Sequence, residues 1–197
     1  MLDLSGSVAR ASALTEGRAC GLAELEKLYE AHASFVRDLA ARLLGPGAEA
    51  DADDITQEAF LVAMRRSDYL DKGIAERAWL AGIVIKLVQA SRRRARIWKF
   101  FGLAAPVEGE ERLTPLFLFE RREASRVVYA ALNGLSEKKR TVSILCELQD
   151  LTAPEVAQAI GCSPETVRTR LFHARREFAR QMQLWKAGED ARAGEQG

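Results

Sequence analysis

The stretch TAPEVAQAIGCSPETVRTRLFHARREF, residues 152–178, decides how the C-terminal part of this chain folds. It contains two helix starts, because Thr152 and Glu155 have the spacing of a capping box and Ser163 stands directly before a proline. Gly161, between the two segments, supplies the left-handed conformation in which helices commonly end. Two short capped helices joined by a tight turn predict a helix-turn-helix over this stretch.

The second helix of this motif has an apolar face and a cationic face. Val167, Leu171 and Ala174 are spaced by three and four residues, so they share one face that can pack against Val156 and Ile160 of the first helix. The opposite face is free to enter the major groove of DNA, where the N-terminal residues of such a helix lie closest to the base edges. We predict DNA binding by Arg168, Thr169, Arg170, His173, Arg175 and Arg176.

The side chains of the cationic face suit different parts of a DNA duplex. Arg168 can donate two hydrogen bonds to a guanine edge, and Thr169 can offer its hydroxyl or methyl group. Arg175 and Arg176 are better placed to contact phosphates. The alternative is a solvated basic face on an ordinary helical hairpin, but the paired caps, the tight turn and the matching apolar residues favour DNA binding.

The whole chain has the composition of a helix-rich globular protein. Of its 197 residues, 48% are hydrophobic and 29% are charged, and proline and glycine are few. The net charge is only +1, but acidic and basic residues collect in different segments, so the total does not argue against nucleic-acid binding. We expect an all-α fold with two small helical domains joined by a flexible acidic linker. The predicted segments are a loose tail over 1–21, an N-terminal domain over 22–100, the linker over 101–115, a C-terminal domain over 116–187 and a second tail over 188–197.

The second helix of the N-terminal domain begins with a cluster of carboxylates. Asp51, Asp53 and Asp54 stand at its start, ahead of a buried stripe that includes Ile55 and Phe60. These carboxylates would repel DNA, so a protein partner is the simpler explanation for them. Ordinary complementation of the positive end of the helix dipole remains the alternative.

The third helix, from Arg77 to about Lys99, changes character midway. Its first half, AWLAGIVIKLV, is apolar enough for the core, whereas the second half, SRRRARIWK, is basic and contains an aromatic residue. Cations suit phosphates and aromatic faces suit unpaired bases, so this half predicts binding of single-stranded nucleic acid. A charged helix end beside a linker is the alternative. The candidate residues are Arg92, Arg93, Arg94, Arg96, Trp98, Lys99 and Phe100.

Several other functional classes lack their signals in this sequence. It has no glycine-rich phosphate loop and no nucleophile with a base at a plausible spacing, so we expect no enzymatic activity and no small-molecule substrate. Cys20, Cys146 and Cys162 are scattered without metal-ligand spacing, which predicts neither a disulfide nor a metal or other cofactor. No apolar run approaches the roughly 18 residues that span a membrane, and the N-terminus is unlike a signal peptide. We therefore expect a cytoplasmic location without membrane insertion.

The chain contains an acidic helix, a basic and aromatic helix and a C-terminal helix-turn-helix, in that order. With these three elements it resembles the bacterial RNA polymerase sigma factors of the extracytoplasmic-function (ECF) group in the sigma-70 family. The resemblance is carried by DDITQEAF at 53–60, by Trp79 and Leu80, and by the run from GLS at 134–136 to LFHAR at 171–175. This combination is far more specific than a helix-turn-helix alone.

The resemblance implies a transcription initiation factor in which residues 22–100 are region 2 and residues 116–187 are region 4, a winged-helix-like domain. Region 4 would read the −35 element of promoter DNA. Region 2 would bind core RNA polymerase and assist melting at the −10 element. The implied partners are the clamp of the polymerase's largest subunit, the polymerase flap, promoter DNA and an anti-sigma factor that holds the protein inactive.

The resemblance also implies which residues make these contacts. The acidic helix would dock on the clamp, the loop over 67–76 and the helix after it would hold the melted non-template strand, and the acidic linker would run near the RNA path. For polymerase docking it indicates Asp53, Asp54, Gln57, Glu58 and Phe60. For the −10 element it indicates Lys86, Arg92, Arg93, Arg94, Arg96, Trp98 and Lys99. For the −35 element it indicates Thr166, Arg168, Thr169, Arg170, Phe172, His173, Arg175 and Arg176.

Three positions depart from the pattern of these sigma factors. Lys86 stands where an asparagine commonly lines a base pocket, Gly82 where many relatives have arginine, and His173 where arginine is frequent. The bases that this chain selects are therefore left open. The alternative function is a helix-turn-helix regulator that acts without polymerase. The acidic helix and linker favour the initiation factor, because such a regulator gains from two-fold symmetry and fixed half-site spacing.

Overall fold

The computed structural model describes residues 22–66, 75–100 and 127–194, with the side chains of 22, 23, 98, 99 and 186–194 left outside the description. All regular structure within these ranges is helical, which confirms the predicted all-α class. The predicted N-terminal tail, the linker and most of the loop over 67–76 lie outside the described residues. No described helix is both long enough and apolar enough to cross a membrane.

Three helices form the N-terminal group: α1 (Leu22–Leu44), α2 (Glu49–Arg65) and α3 (Glu76–Phe100). α1 ends directly before Gly45-Pro46-Gly47, and α2 begins two residues before Asp51, which was predicted to lie at its head. The three helices pack against one another around a common core. Its fully buried side chains include Val36, Leu39, Leu80 and Val84.

The C-terminal group consists of α4, described over residues 127–133, α5 (Glu137–Ser143), α6 (Ala153–Ile160) and α7 (Pro164–Gly194). α6 and α7 are the predicted helix-turn-helix. The backbone of α7 continues beyond the predicted end of this domain into the segment expected to be a tail. Ser136 stands at the N-cap position of α5, but its side chain makes no capping hydrogen bond.

α5 widens into a π-helical turn over Ile144–Leu148, which no sequence signal indicated. The Leu151 amide donates back to the Leu145 carbonyl oxygen at 3.0 Å, and Asp150 between them has a φ of +54°. The side chain of Leu145 is fully buried. Burial of this side chain and the returning hydrogen bond therefore hold the turn in place.

The two helical groups are packed against each other. α3 lies along α6, and one hydrophobic cluster continues from the N-terminal helices into α5, α6 and α7. At the same junction Arg77 of α3 donates to the Gln149 carbonyl oxygen at 2.8 Å. This arrangement places the helix-turn-helix directly beside the N-terminal helices.

Candidate nucleic-acid interface

The helix-turn-helix begins with the predicted capping box. The Thr152 hydroxyl accepts the Glu155 amide at 3.5 Å, and the Thr152 amide donates to Glu155 Oε2 at 2.8 Å. Hydrogen bonds from the side chain and backbone of Thr152 lower the pKa of Glu155, and the positive charge of Arg77 lowers it further. The carboxylate is therefore held in its charged form at the start of α6, where the helix dipole also favours it.

The turn between α6 and α7 follows the predicted pattern. Gly161 has a left-handed φ of +69°, and the Cys162 amide donates back to the Ala157 carbonyl oxygen at 3.0 Å. Ser163 Oγ accepts the Thr166 amide at 3.2 Å and so caps α7. The predicted helix starts and the stop between them are confirmed.

The buried side of the motif sets the orientation of α7. Val156 of α6 and Val167 and Ala174 of α7 are fully buried, and Ile160 and Leu171 pack against the same cluster. These are the residues that were predicted to share a face. Because that face is buried, the cationic side of α7 points outward.

We call the outward side of α7 the recognition face, and it carries most of the residues predicted to read the −35 element. The Arg168 side chain is 60% exposed, and its guanidinium pairs with Glu165 at 3.0 Å. A pair between such exposed side chains contributes little free energy, so Arg168 can exchange Glu165 for a base or a phosphate. The exposed ring of Phe172 has the Arg176 guanidinium 5.7 Å from its centre. The recognition face consists of Arg168, Thr169, Phe172, His173, Arg175 and Arg176.

Besides Arg168, three more of the predicted −35 residues are bonded within the protein. Arg175 donates to Glu147 Oε1 at 2.9 and 2.6 Å, so it must leave this carboxylate to reach a phosphate. The Thr166 hydroxyl lies 2.8 Å from that of Ser163. Arg170 is half-buried and points back toward the cysteine sulfur in the turn. Thr166 and Arg170 therefore support the motif rather than extend the recognition face.

The second half of α3 presents cations to solvent, as its sequence predicted. Phe100 beside them is 87% exposed, and an exposed ring next to cations has the chemistry to stack on an unpaired base. Lys86 lies apart from the arginines, at a groove of about 190 Å³ between α3 and α6. The side chains of Trp98 and Lys99 lie outside the described residues. The exposed members of the predicted −10 set are Lys86, Arg93, Arg94 and Arg96.

Arg92 differs from its neighbours in the same basic run. Its side chain is half-buried and donates a hydrogen bond to the Leu43 carbonyl oxygen at the end of α1. Burial lowers the pKa of Arg92, nearby Glu137 opposes that shift, and Arg96 adds to it. Arg92 therefore caps α1 within the protein, and the arrangement does not favour the predicted contact with DNA.

The carboxylates predicted to dock on the polymerase lie on the outside of α2. Asp54, Gln57 and Glu58 are exposed. Asp53 is also exposed, but its carboxylate accepts a hydrogen bond from Arg37 Nε of α1 at 2.7 Å. Among the predicted docking residues, Asp54, Gln57 and Glu58 are thus the accessible ones outside this ion pair.

Phe60, predicted as a docking residue, belongs to the core instead. It is only 5% exposed, and its ring centre lies 4.8 Å from that of Tyr29. Leu61 beside it is 51% exposed and was not among the predicted docking residues, although it is an apolar residue outside the buried stripe of α2. We call four of the exposed side chains of this helix, Asp54, Gln57, Glu58 and Leu61, the docking surface.

Two models of one protein family match the chain in the order of its helical groups. Residues 28–97, within α1 to α3, match Sigma-70 region 2, and residues 125–178, up to the middle of α7, match Sigma-70, region 4. The chain belongs to the sigma-70 family. The stand-alone regulator considered above is set aside, because this family acts with core RNA polymerase.

Curated relatives place this sigma factor in the ECF group. It is 30% identical over 139 residues to the RNA polymerase sigma factor NccH of Alcaligenes xylosoxydans xylosoxydans, covering 68% of this chain and 75% of the relative. It is 30% identical over 159 residues to the ECF RNA polymerase sigma factor SigE of Mycolicibacterium smegmatis, covering 78% of this chain and 59% of the relative. This chain thus spans about three fifths of the length of that second relative. It is a non-enzymatic transcription initiation factor that works with core RNA polymerase.

A solved structure shares the fold. The sigma factor RpoE from Bartonella quintana, crystallised with the anti-sigma factor NepR, has a TM-score of 0.60 and 21% sequence identity to this sigma factor. The match covers 80% of this chain and 96% of that chain. The likeness therefore extends over both helical groups.

Proposed function

We propose that this sigma factor reads the −35 element with the recognition face of α7 and holds the opened −10 strand with the exposed cations of α3. The observation that carries the proposal is that Arg168, Thr169 and Phe172 are exposed on a helix whose opposite side is buried at Val167 and Ala174. A helix held rigidly from behind, with cations near its N-terminus, has the form that readout in the major groove requires.

Within the recognition face, Arg168 reads a base and Arg176 contacts a phosphate. Arg168 lies in the second turn of α7, near the end that enters the groove first. Its guanidinium can donate two hydrogen bonds to the N7 and O6 acceptors of guanine. Arg176 lies about two turns further along α7, where a helix in the groove passes the DNA backbone.

Within region 2, Arg93, Arg94 and Arg96 bind the phosphates of the opened strand, and Phe100 offers a ring for stacking. All four side chains are exposed and lie within two turns of one helix. Contacts of this kind do not depend on base sequence, because every base has a face to stack and every nucleotide has a phosphate. Arg92 takes no part in this proposal because it is bonded to α1.

The docking surface of α2 binds the clamp of the polymerase's largest subunit. Its carboxylates would repel DNA, which leaves a protein as the suitable partner. Leu61 adds an exposed apolar side chain next to Glu58, so the surface combines charge with an apolar contact as protein interfaces do. Region 4 contacts the polymerase flap as a second anchor.

We also infer that an anti-sigma factor regulates this protein in the cytoplasm. The Bartonella quintana sigma factor was crystallised with an anti-sigma factor, and its likeness to this chain covers both regions. The cytoplasmic location follows from the partnership with core polymerase and promoter DNA.

Run-off transcription with purified core polymerase tests these assignments together. The templates are promoters found by sequencing the transcription start sites that appear when the protein is overproduced. Specific transcripts should require the protein. Equal transcripts with and without it would show that these promoters are not read by this sigma factor.

Three variants should fail in different ways on these templates. Arg168→Ala should cost about 1–3 kcal/mol of promoter binding, and only where the −35 element keeps its native guanine. Arg176→Ala should weaken every template equally, because phosphates carry no sequence information. A uniform loss for Arg168→Ala would reassign this residue to a phosphate.

Glu58→Lys should lower transcription from every promoter, because it weakens binding to core polymerase. Glu26→Lys, at an exposed position of α1, is the control for net charge.

A further inference from the structure

The last two turns of α3 project beyond the core of the protein. Val88 is the last buried apolar residue of this helix among those that the structure describes. Ser91 and Arg92 are partly buried, and every described side chain from Arg93 to Phe100 is exposed. The end of α3 is therefore accessible to a broad, flat partner as well as to a single strand of DNA.

Two exposed apolar side chains lie close together on this helix end. Ile97 is 49% exposed and Phe100 is 87% exposed. Positions 93, 97 and 100 are four and three residues apart, so Arg93 shares one side of the helix with both apolar residues. Contacts with single-stranded DNA give Ile97 no role, because an aliphatic side chain offers neither a charge for phosphates nor a ring for stacking. Its exposure next to cations instead suits a partner with an anionic surface and an apolar interior.

The cations around these apolar side chains are not neutralised by neighbouring acids. Arg93, Arg94 and Arg96 are exposed. Among the side chains that the structure describes, no carboxylate lies within ion-pair distance of these three guanidinium groups. On the recognition face, by contrast, two of the arginines pair with glutamates. The positive charge at the end of α3 is therefore less compensated than that of α7.

We propose that the end of α3 also binds the anionic cytoplasmic surface of the membrane. Ile97 and Phe100 enter the boundary between the lipid headgroups and the acyl chains, and the arginines bind lipid phosphates. Arginine side chains are long enough to reach headgroups while the apolar residues between them are immersed. The helix lies on the bilayer and does not cross it. We call Arg93, Arg94, Arg96, Ile97 and Phe100 the lipid face.

Lipid and promoter DNA compete for the lipid face. Its arginines and Phe100 are also the side chains proposed to hold the −10 strand, so a molecule on the membrane cannot use them on a promoter. This consequence rests on the proposed −10 contacts, whereas binding to lipid does not. The membrane surface therefore withholds the free protein from promoters to an extent that depends on its anionic lipid content.

Flotation of the full-length protein with lipid vesicles tests the proposal. Vesicles of equal parts phosphatidylglycerol and phosphatidylcholine are anionic, and vesicles of phosphatidylcholine alone are the neutral reference. The protein should float with the anionic vesicles at about 100 mM salt and lose most of this binding at about 1 M, where the charges are screened. It should not float with the neutral vesicles. Equal binding to both kinds of vesicle, or binding to neither, would overturn the lipid face.

Two triple variants remove the same charge from the two basic helices. The first is Arg93→Gln, Arg94→Gln and Arg96→Gln. The second, on the recognition face, is Arg168→Gln, Arg175→Gln and Arg176→Gln. The first should weaken binding to anionic vesicles roughly 100-fold, since each cation near such a surface contributes about fivefold. The second should have a much smaller effect, because two of its arginines already have carboxylate partners. An equal loss in both variants would mean that net charge alone matters, and α3 would no longer be the site.

Ile97→Gln separates lipid binding from nucleic-acid binding. It should weaken binding to anionic vesicles about fivefold, because it removes an apolar side chain from the acyl boundary. It should leave the affinity for single-stranded DNA unchanged. Leu184→Gln is the matched control, because Leu184 is an aliphatic residue of α7 that is 61% exposed. If Ile97→Gln bound vesicles as tightly as the wild type, the attraction would be purely ionic and the proposed insertion would be wrong.

A single-stranded oligonucleotide tests the competition separately. It should displace the wild-type protein from anionic vesicles, since both ligands need the same arginines. Flotation that the oligonucleotide does not reduce would remove these arginines from the −10 assignment and leave the lipid face in place. Binding to the oligonucleotide without flotation would have the opposite meaning, because the −10 assignment would stand and the lipid face would be rejected.

Discussion

Neighbouring arginines on α3 differ in what they can bind. Arg92 is half-buried and bonded to the Leu43 carbonyl, one of the last carbonyls of α1, which have no partner within their own helix. Arg93 and Arg94 are exposed. A guanidinium that satisfies a helix end cannot move to a phosphate without leaving that carbonyl, whereas an exposed guanidinium gives up only water.

This difference predicts opposite effects for two similar substitutions. Arg92→Gln should lower the free energy of unfolding by about 1–2 kcal/mol, since it removes a charged hydrogen-bond donor from a half-buried carbonyl. Arg94→Gln should leave that free energy unchanged, because the side chain is exposed. Urea unfolding followed by circular dichroism measures both. An Arg92 variant as stable as the Arg94 variant would return Arg92 to the candidates for DNA binding.

At the scale of the element, the start of α6 depends on a charge that responds to pH. The two hydrogen bonds with Thr152 and the neighbouring Arg77 keep the pKa of Glu155 below its ordinary value. A lowered pKa in the folded state means that the charged form is stabilised by folding. The contribution is therefore complete above the pKa of an unfolded glutamate, about 4.3, and is lost as pH falls through the lower folded value.

Glu155→Gln should accordingly destabilise the protein at neutral pH and matter less in acid. We expect a loss of about 0.3–1 kcal/mol at pH 7, the usual contribution of a carboxylate at a helix start. Unfolding free energies measured from about pH 7 down to pH 3 should converge for the variant and the wild type. Glu26→Gln, on an exposed position of α1, is the control. If the difference in unfolding free energy between Glu155→Gln and the wild type were as large at pH 3 as at pH 7, the charge would have no role in the cap.

At the scale of the whole molecule, a net charge of +1 conceals one acidic surface and two basic ones. The docking surface of α2 is acidic, whereas the end of α3 and the recognition face of α7 are basic. In the proposed function the acidic surface binds a protein and the two basic surfaces bind DNA. Only the basic surfaces should release counterions from DNA when the promoter complex forms.

Salt dependence provides a measure of the basic end of α3. With Arg93, Arg94 and Arg96 all changed to glutamine, the plot of log affinity against log salt should become shallower by about 2, given roughly 0.7 per contact with a single strand. The measurement uses core polymerase loaded with the protein and promoter DNA between about 50 and 200 mM salt. Arg37→Gln is the control, because Arg37 pairs with Asp53 on the acidic side. Equal slopes for the triple variant and the wild type would exclude phosphate contacts by these arginines.

The sequence by itself determined the helices and the helix-turn-helix, because their signals act between residues close in the chain. Thr152 reaches Glu155 across one turn, and Gly161 needs only its own backbone freedom to end α6. The periodic apolar residues likewise indicated which side of α7 is buried, and therefore that Arg168 is exposed. The starts of α2 and α3 were predicted to within two residues for the same reason.

Only the tertiary structure decided which of several similar side chains is available to a partner. Arg92 donates a hydrogen bond to a carbonyl 49 positions away, and Phe60 packs against the ring of Tyr29 on another helix. Local spacing carries no record of such distant contacts. The same holds for Gly82, whose lack of a side chain has its effect only where Ala159 of a distant helix comes within reach. Sequence could therefore predict the two basic surfaces separately, whereas the packing of the two helical groups depends on the three-dimensional approach of α6 to α3.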